Sequence, residues 1–177
     1  IEPPRFQYIL GNPPFLGKQY QDKTQKDDME IIFKGVAGAG VLDYVTAWYL
    51  KASQYLEDYQ TSIIPETRVA FVSTNSITQG EQVGILWGFL KNKYNIKIHF
   101  AHRTFRWTNE AKGIAAVHCV IIGFSNYDIN TKTLYDYPNI NEDGIKHSVK
   151  NINGYLVEAG DVVLKKLKEP LCNVPCM

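Results

Sequence analysis

Asn12, Pro13, Pro14 and Phe15 are the residues of this sequence best equipped to do chemistry, and they follow Gly11 at the end of an apolar run, residues 6–10. A strand that stops abruptly at Asn-Pro-Pro-aromatic sets a rigid polar loop at the carboxyl end of a sheet. That edge is where open α/β sheets bind ligands. Each proline fixes φ at about −65° and removes a backbone N–H, and the residue before a proline is held extended. The loop therefore offers two stiff acceptors, the Asn12 side-chain oxygen and the Pro13 carbonyl, beside the ring of Phe15. An exocyclic amino group on a flat ring suits this set, with its two hydrogens on the two acceptors and its ring stacked on Phe15. The plain alternative is turn chemistry between two elements. The strand before the motif and the aromatic after it favour a site.

The elements that must position this loop can be read from periodicity. Residues 68–73 form a near-continuous apolar run of strand length, as expected for a parallel strand covered on both faces. A polar loop, 74–80, follows at its carboxyl end and leads into a helix over 81–93 whose Val83, Leu86, Trp87 and Leu90 cover the sheet. Residues 96–102 and 115–124 read as two further strands, the second rich in β-branched side chains. The segment between them, 103–113, is too short for a crossover helix, so the two strands should be antiparallel. That loop gathers Arg103, Arg106 and Lys112 around Phe105 and Trp107, a basic cluster suited to phosphate groups; a solvated face is the plain reading. Before the second strand, 22–36 reads as a short amphipathic helix and 41–56 as a stronger one, its stripe running from Val41 through Trp48 and Tyr49 to Leu56. His99, His102 and His118 lie on strand patterns without metal-ligand spacing and read as structural. Beyond Phe124 the texture turns polar and Asn-rich. It holds a hairpin, 132–137 against 145–149, and a short helix over 162–167 that Asp161 could cap.

The string Tyr8-Ile-Leu-Gly-Asn-Pro-Pro-Phe-Leu-Gly-Lys18 resembles the catalytic region of S-adenosylmethionine-dependent, adenine-N6 DNA methyltransferases. More narrowly, it is similar to the methyltransferase part of fused type IIG/IIL restriction–modification enzymes. The resemblance implies methyl transfer from S-adenosyl-L-methionine to the N6 amino group of a flipped-out adenine in double-stranded DNA, with a nuclease and a target-recognition domain possible in the same polypeptide. It implies that Asn12, Pro13, Pro14 and Phe15 are catalytic and that the loop with Ser73 and Asn75 borders the target base. Phe105, Trp107 and Asn109 match the family's Phe-x-Trp-x-Asn element beside that base, and Asp43 and Tyr44 could face the cofactor pocket. The implied fold is α/β, the C-terminal half of a Rossmann-like methyltransferase sheet, with parallel strands ending in an antiparallel hairpin and helices on both faces. On this basis residues 1–124 form the catalytic half, and 125–177 an extension leading toward a target-recognition domain. Two other readings stay open. Protein glutamine N5-methyltransferases use a similar loop, normally with Tyr where Phe15 stands, and lack the Phe-x-Trp-x-Asn element. A non-catalytic DNA-binding domain of methyltransferase shape is the third.

Size and composition bound these readings. The 177 residues suit one domain with a substantial core, and 45% apolar with 21% charged residues is ordinary for a globular chain. A net charge of +1 says nothing about nucleic acid, so any basic footprint must be local. Three cysteines, Cys119, Cys172 and Cys176, make neither a disulfide framework nor a metal quartet, and they suit a reducing cytoplasm. No apolar run reaches membrane-spanning length. Nowhere does a strand lead into a glycine-rich turn and a helix, the usual cradle of a nucleotide-like cofactor. Residues 35–40 are glycine-rich but lack the strand, and read as a connector. The expectation is that the cofactor half lies upstream and that Asn12 meets only its methyl end. The isolated chain should then be catalytically silent and bind the cofactor weakly or not at all.

Overall fold

The computed structural model describes residues 6–58, 67–107, 117–139 and 142–162. Its strands are β1 (Tyr8–Gly11), β2 (Arg68–Thr74), β3 (Lys97–Trp107), β4 (Val117–Ser125), β5 (Lys132–Asp136) and β6 (Ile145–Val149). They form one sheet in the order β1-β2-β4-β3-β5-β6. β1 pairs parallel to β2 and β3 parallel to β5, whereas β4 runs antiparallel to both β2 and β3, and β6 to β5. With β4 the reversed strand between them, β2 and β3 point the same way. The carboxyl ends of β1, β2, β3 and β5 therefore share one edge of the sheet.

The helices are α1 (Lys23–Ile32), α2 (Thr46–Asp58) and α3 (Gly80–Tyr94). α1 opens on a capping box in which the Asp22 side chain accepts from the Gln25 N–H and Gln25 reaches back to the Asp22 N–H, a device worth about 1 kcal/mol. α3 stops where Asn95 turns into the left-handed region at φ 52°.

One face of the sheet carries Val69, Phe71, Ile98, Ala101, Ile122 and Phe124, all buried. Tyr49 of α2 is packed into this face, stacked on Phe124 at 5.3 Å and edge-on to Phe71 and to Trp87 of α3. Its hydroxyl bonds Ser73 Oγ at 2.7 Å, and burial holds its pKa far above the ordinary tyrosine range. Fully burying side chains of this size contributes about 1.5–3 kcal/mol each, so the Tyr49–Phe71–Trp87–Phe124 cluster is the main tie between helices and sheet. The opposite face is more open. There Tyr8, Leu10, Ala70, Phe100, Gly123 and Thr133 border a groove of about 350 Å³. Gly123 is required, since a Cβ at that point would lie 2.0 Å from the Phe100 ring.

Four expectations shift. β2 alternates, with Val69, Phe71 and Ser73 buried and Ala70 and Val72 half-buried, because one of its faces is covered by helices and the other is the more open face of the sheet. The strong helix begins at Thr46 and not at Val41: Ala39–Val41 is a 3-10 turn and Leu42 is extended. The amphipathic helix ends at Ile32, and Gly35 and Gly38 adopt positive φ in the connector that follows. β3 runs on to Trp107, so Arg103, Phe105 and Arg106 sit on a strand and not in a loop. Pairing of Phe105, Arg106 and Trp107 with Cys119, His118 and Val117 extends it, across a register shift between His102 and Phe105. The short helix expected over 162–167 lies outside the described residues beyond Val162.

Candidate active site

β1 delivers its loop to the shared edge immediately beside the end of β2, because the two strands are parallel neighbours with Gly11 opposite Phe71. The close approach suits glycine: a Cβ on residue 11 would meet the Phe71 ring at 3.0 Å. In the loop Pro13 is buried, Phe15 half-buried, and Asn12 and Pro14 exposed. Among the described residues the Asn12 side chain has no hydrogen-bond partner, which leaves its amide oxygen available to a ligand. The buried Pro13 ring anchors the turn and keeps the backbone from offering a donor there.

The loop after β2 is a single 3-10 turn, Asn75–Thr78. Ser73 is buried with its hydroxyl committed to Tyr49, so it supports the loop from beneath, while Asn75 is half-buried at its start. Thr78 Oγ1 closes the turn on the Asn75 carbonyl at 2.7 Å, and Trp87 Nε1 donates to the Ile77 carbonyl at 3.0 Å. Asn12–Phe15 and Ser73–Thr78 are thus brought together on adjacent strand ends.

Residues 42–44 stitch these two loops from the side. Gln21 Nε2 donates to the Leu42 carbonyl at 3.1 Å, and the Tyr44 N–H donates to the Leu16 carbonyl at 2.8 Å. Asp43 turns a buried carboxylate toward Thr74, Ser76 and Gln82. The half-buried rings of Tyr44 and Trp48 meet edge to face at 5.3 Å beside the loop that follows β1. Tyr44 also donates to Asp28 Oδ2 at 2.9 Å, and this bond to a carboxylate raises the phenol's pKa.

The 103–107 element reaches the same edge at the end of β3, two strands away from β2 across β4. Phe105 lies on the open face, 5.4 Å from the Tyr137 ring and 6.4 Å from His102. His102 stacks on Tyr135 at 4.1 Å and shares a 2.6 Å hydrogen bond with Tyr137 Oη; burial lowers the imidazole pKa and raises that of Tyr137. Arg103 is paired with Asp136 at 3.0 Å, both partly exposed, and Arg106 is exposed. Trp107 is the last residue of β3, and Asn109 and Lys112 lie outside the described residues. A separate cavity of about 530 Å³ opens between α1 and the glycine-rich connector, with Met29, Phe33 and Leu42 as its floor and Lys18, Lys26 and Lys34 among its walls.

Sequence reasoning missed the carboxylate network of Asp43 and the His102–Tyr135–Tyr137 cluster. The partners lie 31 to 39 residues from Asp43 in the first case, and His102 lies 35 residues from Tyr137 in the second, with no periodicity to join them. Among the described residues no group of three or more His, Cys, Asp or Glu side chains could hold a metal ion, and no helix is long and apolar enough to cross a membrane.

This geometry has counterparts among known proteins. The chain is 40% identical over 169 residues to DNA methyltransferase A of Bacillus subtilis (strain 168), covering 95% of this chain and 18% of that protein. A solved structure of the type IIL restriction–modification enzyme MmeI in complex with DNA superimposes with a TM-score of 0.86 at 50% identity, covering 95% of this chain and 22% of the other. The chain thus spans less than a quarter of either relative's length. Residues 4–136, from the approach to β1 to the end of β5, match the family described as the MmeI DNA-methyltransferase domain, and the chain belongs to that family.

Proposed function

We propose that the protein bearing this chain methylates the N6 amino group of adenine in double-stranded DNA, with S-adenosyl-L-methionine as donor, within a restriction–modification enzyme. The observation that carries this reading is the exposed Asn12 amide, without a hydrogen-bond partner among the described residues and followed by buried Pro13, held on a parallel-strand end beside the polar turn after β2. An adenine amino nitrogen is a weak nucleophile because its lone pair is delocalised into the ring. When Asn12 Oδ1 and the Pro13 carbonyl accept its two hydrogens, the nitrogen becomes pyramidal and the lone pair is freed to bond the incoming carbon. The donor supplies an electrophilic methyl group on sulfonium sulfur. As the new N–C bond forms the S–C bond breaks, and the nitrogen then releases one proton to solvent. Holding the acceptor in line does most of the work.

The amino group is inaccessible inside a duplex, so the base must leave the stack. Phe15, half-buried and next to the acceptors, is the ring on which it would rest. The loop fits the methyl end of the cofactor: it offers oxygen acceptors, and neither Pro13 nor Pro14 carries a backbone N–H. Among the described residues no strand–glycine-rich turn–helix cradle is present, so the rest of the cofactor's contacts would come from polypeptide outside them. The phenylalanine at position 15 and the match to a DNA-methyltransferase domain support DNA over a protein glutamine as acceptor.

The test is Asn12→Ala in the whole protein. The expected outcome is a loss of methyl transfer of about 10²-fold or more with DNA affinity nearly unchanged, followed by tritiated-methyl incorporation and digestion to N6-methyl-2′-deoxyadenosine. Methylated cytosine in the wild-type digest, or normal turnover by the variant, would overturn the reading.

A further inference from the structure

Asp43 is 6% exposed, and among the described residues no Lys or Arg forms an ion pair with it. Burying a carboxylate is costly unless its lone pairs are filled. Here three neutral donors fill them. Thr74 Oγ1, at 3.1 Å, and Ser76 Oγ both donate to Oδ2, and Gln82 Nε2 donates to Oδ1 at 3.2 Å. The Asp43 N–H returns a bond to Gln82 Oε1 at 3.1 Å. An Asp just before a helix would ordinarily fold its carboxylate onto the first free N–H groups of that helix. Asp43 instead lends α2 only its carbonyl, which accepts from the Thr46 N–H and hydroxyl, and spends its side chain on residues 31, 33 and 39 positions away.

The flanking residues look the other way. The Leu42 carbonyl holds Gln21 and the Tyr44 N–H holds the Leu16 carbonyl, so the three residues 42–44 grip the segment after β1 with their backbone and the turn after β2 with a side chain. We infer that Asp43 is a positioning residue that fixes the spacing between the Asn12–Phe15 loop and the Asn75–Thr78 turn, and so the width of the pocket that receives the amino group. The inference rests on the methyl-transfer reading above. A displacement of about 1 Å in a reacting pair can cost on the order of 10²-fold in rate, so a brace of this kind acts on turnover more than on binding.

The experiment combines kinetics with hydrogen exchange on the whole protein. Asp43→Ala and the paired change Thr74→Val with Ser76→Ala are each expected to lower kcat by roughly 10²-fold while leaving KM for S-adenosyl-L-methionine within about threefold. Asp43→Asn, which keeps one acceptor, should recover part of the loss. Combining Asp43→Ala with the paired change should add little, the mark of groups that act as one unit. Additive losses, or equal effects on kcat and KM, would show that Asp43 merely supports the fold. Exchange needs no substrate and separates this inference from the reaction itself. In Asp43→Asn, amides of 12–17 and of 73–79 should both exchange faster, whatever acceptor the wild type methylates. Faster exchange in one segment alone, or in neither, overturns the coupling, and Asp43→Asn serves if Asp43→Ala does not fold.

Discussion

In the proposed reaction Asn12 and Phe15 have different parts at the acceptor, and the structure gives them different environments. Asn12 is exposed, with no side-chain hydrogen-bond partner among the described residues, whereas Phe15 is half-buried. A ring placed this way can carry a flipped base without being lost from the fold. Phe15→Ala is expected to weaken binding of the extruded base by about 1–3 kcal/mol, while Phe15→Trp is largely tolerated. Fluorescence of 2-aminopurine at the target position reads base extrusion directly, and an unchanged signal in Phe15→Ala would return the ring to the core.

At the scale of the elements, β3 does two jobs. Its first half packs Ile98 and Ala101 into the helix-covered face, and its second half carries His102 and Phe105 on the open one. His99, in the first half, reaches across to Tyr127 beyond β4. Its Nε2 meets the Tyr127 carbonyl at 2.8 Å, which requires that nitrogen to be the donor. Burial is the main cause that lowers the His99 pKa, and nearby Arg68 and Lys132 add to it; burial also lowers that of His102. A histidine whose folded pKa lies below its unfolded value, about 6.5, binds fewer protons in the native state. Stability therefore falls as pH drops below about 6.5 toward the folded value, and the neutral forms favour the fold above it. The melting temperature should decline between about pH 7 and pH 5.5. His99→Gln, which can still donate to the Tyr127 carbonyl, should show a shallower decline. An identical slope in that variant would assign the pH response to other groups.

Across the 177 residues of this chain, a net charge of +1 means that any attraction of this segment to DNA is local. The basic residues of β3 are not equivalent in this respect. Arg103 is already paired with Asp136, whereas Arg106 is exposed and forms no ion pair with a described residue. If both approach phosphates, Arg106→Ala should lower the slope of log binding constant against log salt by about 0.9, and Arg103→Ala by less. Titrations of the whole protein with duplex DNA at several salt concentrations would decide it. Equal slopes for wild type and Arg106→Ala would place that side chain in solvent.

The sequence by itself determined the order of the elements and the place of the Asn12–Phe15 loop at a strand end. Local chemistry suffices for both: two prolines stiffen a strand end wherever they occur, apolar periodicity of two or of three to four residues declares strand or helix, and a short connection forces β3 and β4 to be antiparallel. The hairpin 132–137 against 145–149 and the apolar stripe of α3 were legible for the same reason. Only the tertiary structure could decide what closes the site from the side. The family resemblance marks Asp43 only as a residue that could face the cofactor pocket, and nothing within a helical turn of it signals Thr74, Ser76 or Gln82. The pairing that carries β3 to Trp107, and the stacking of His102 on Tyr135, likewise depend on strands that meet only after β4 and β5 join the sheet. Contacts between residues more than thirty positions apart carry no local pattern, because the free energy that selects them comes from burial and hydrogen-bond satisfaction across elements and not from the backbone preferences of either segment.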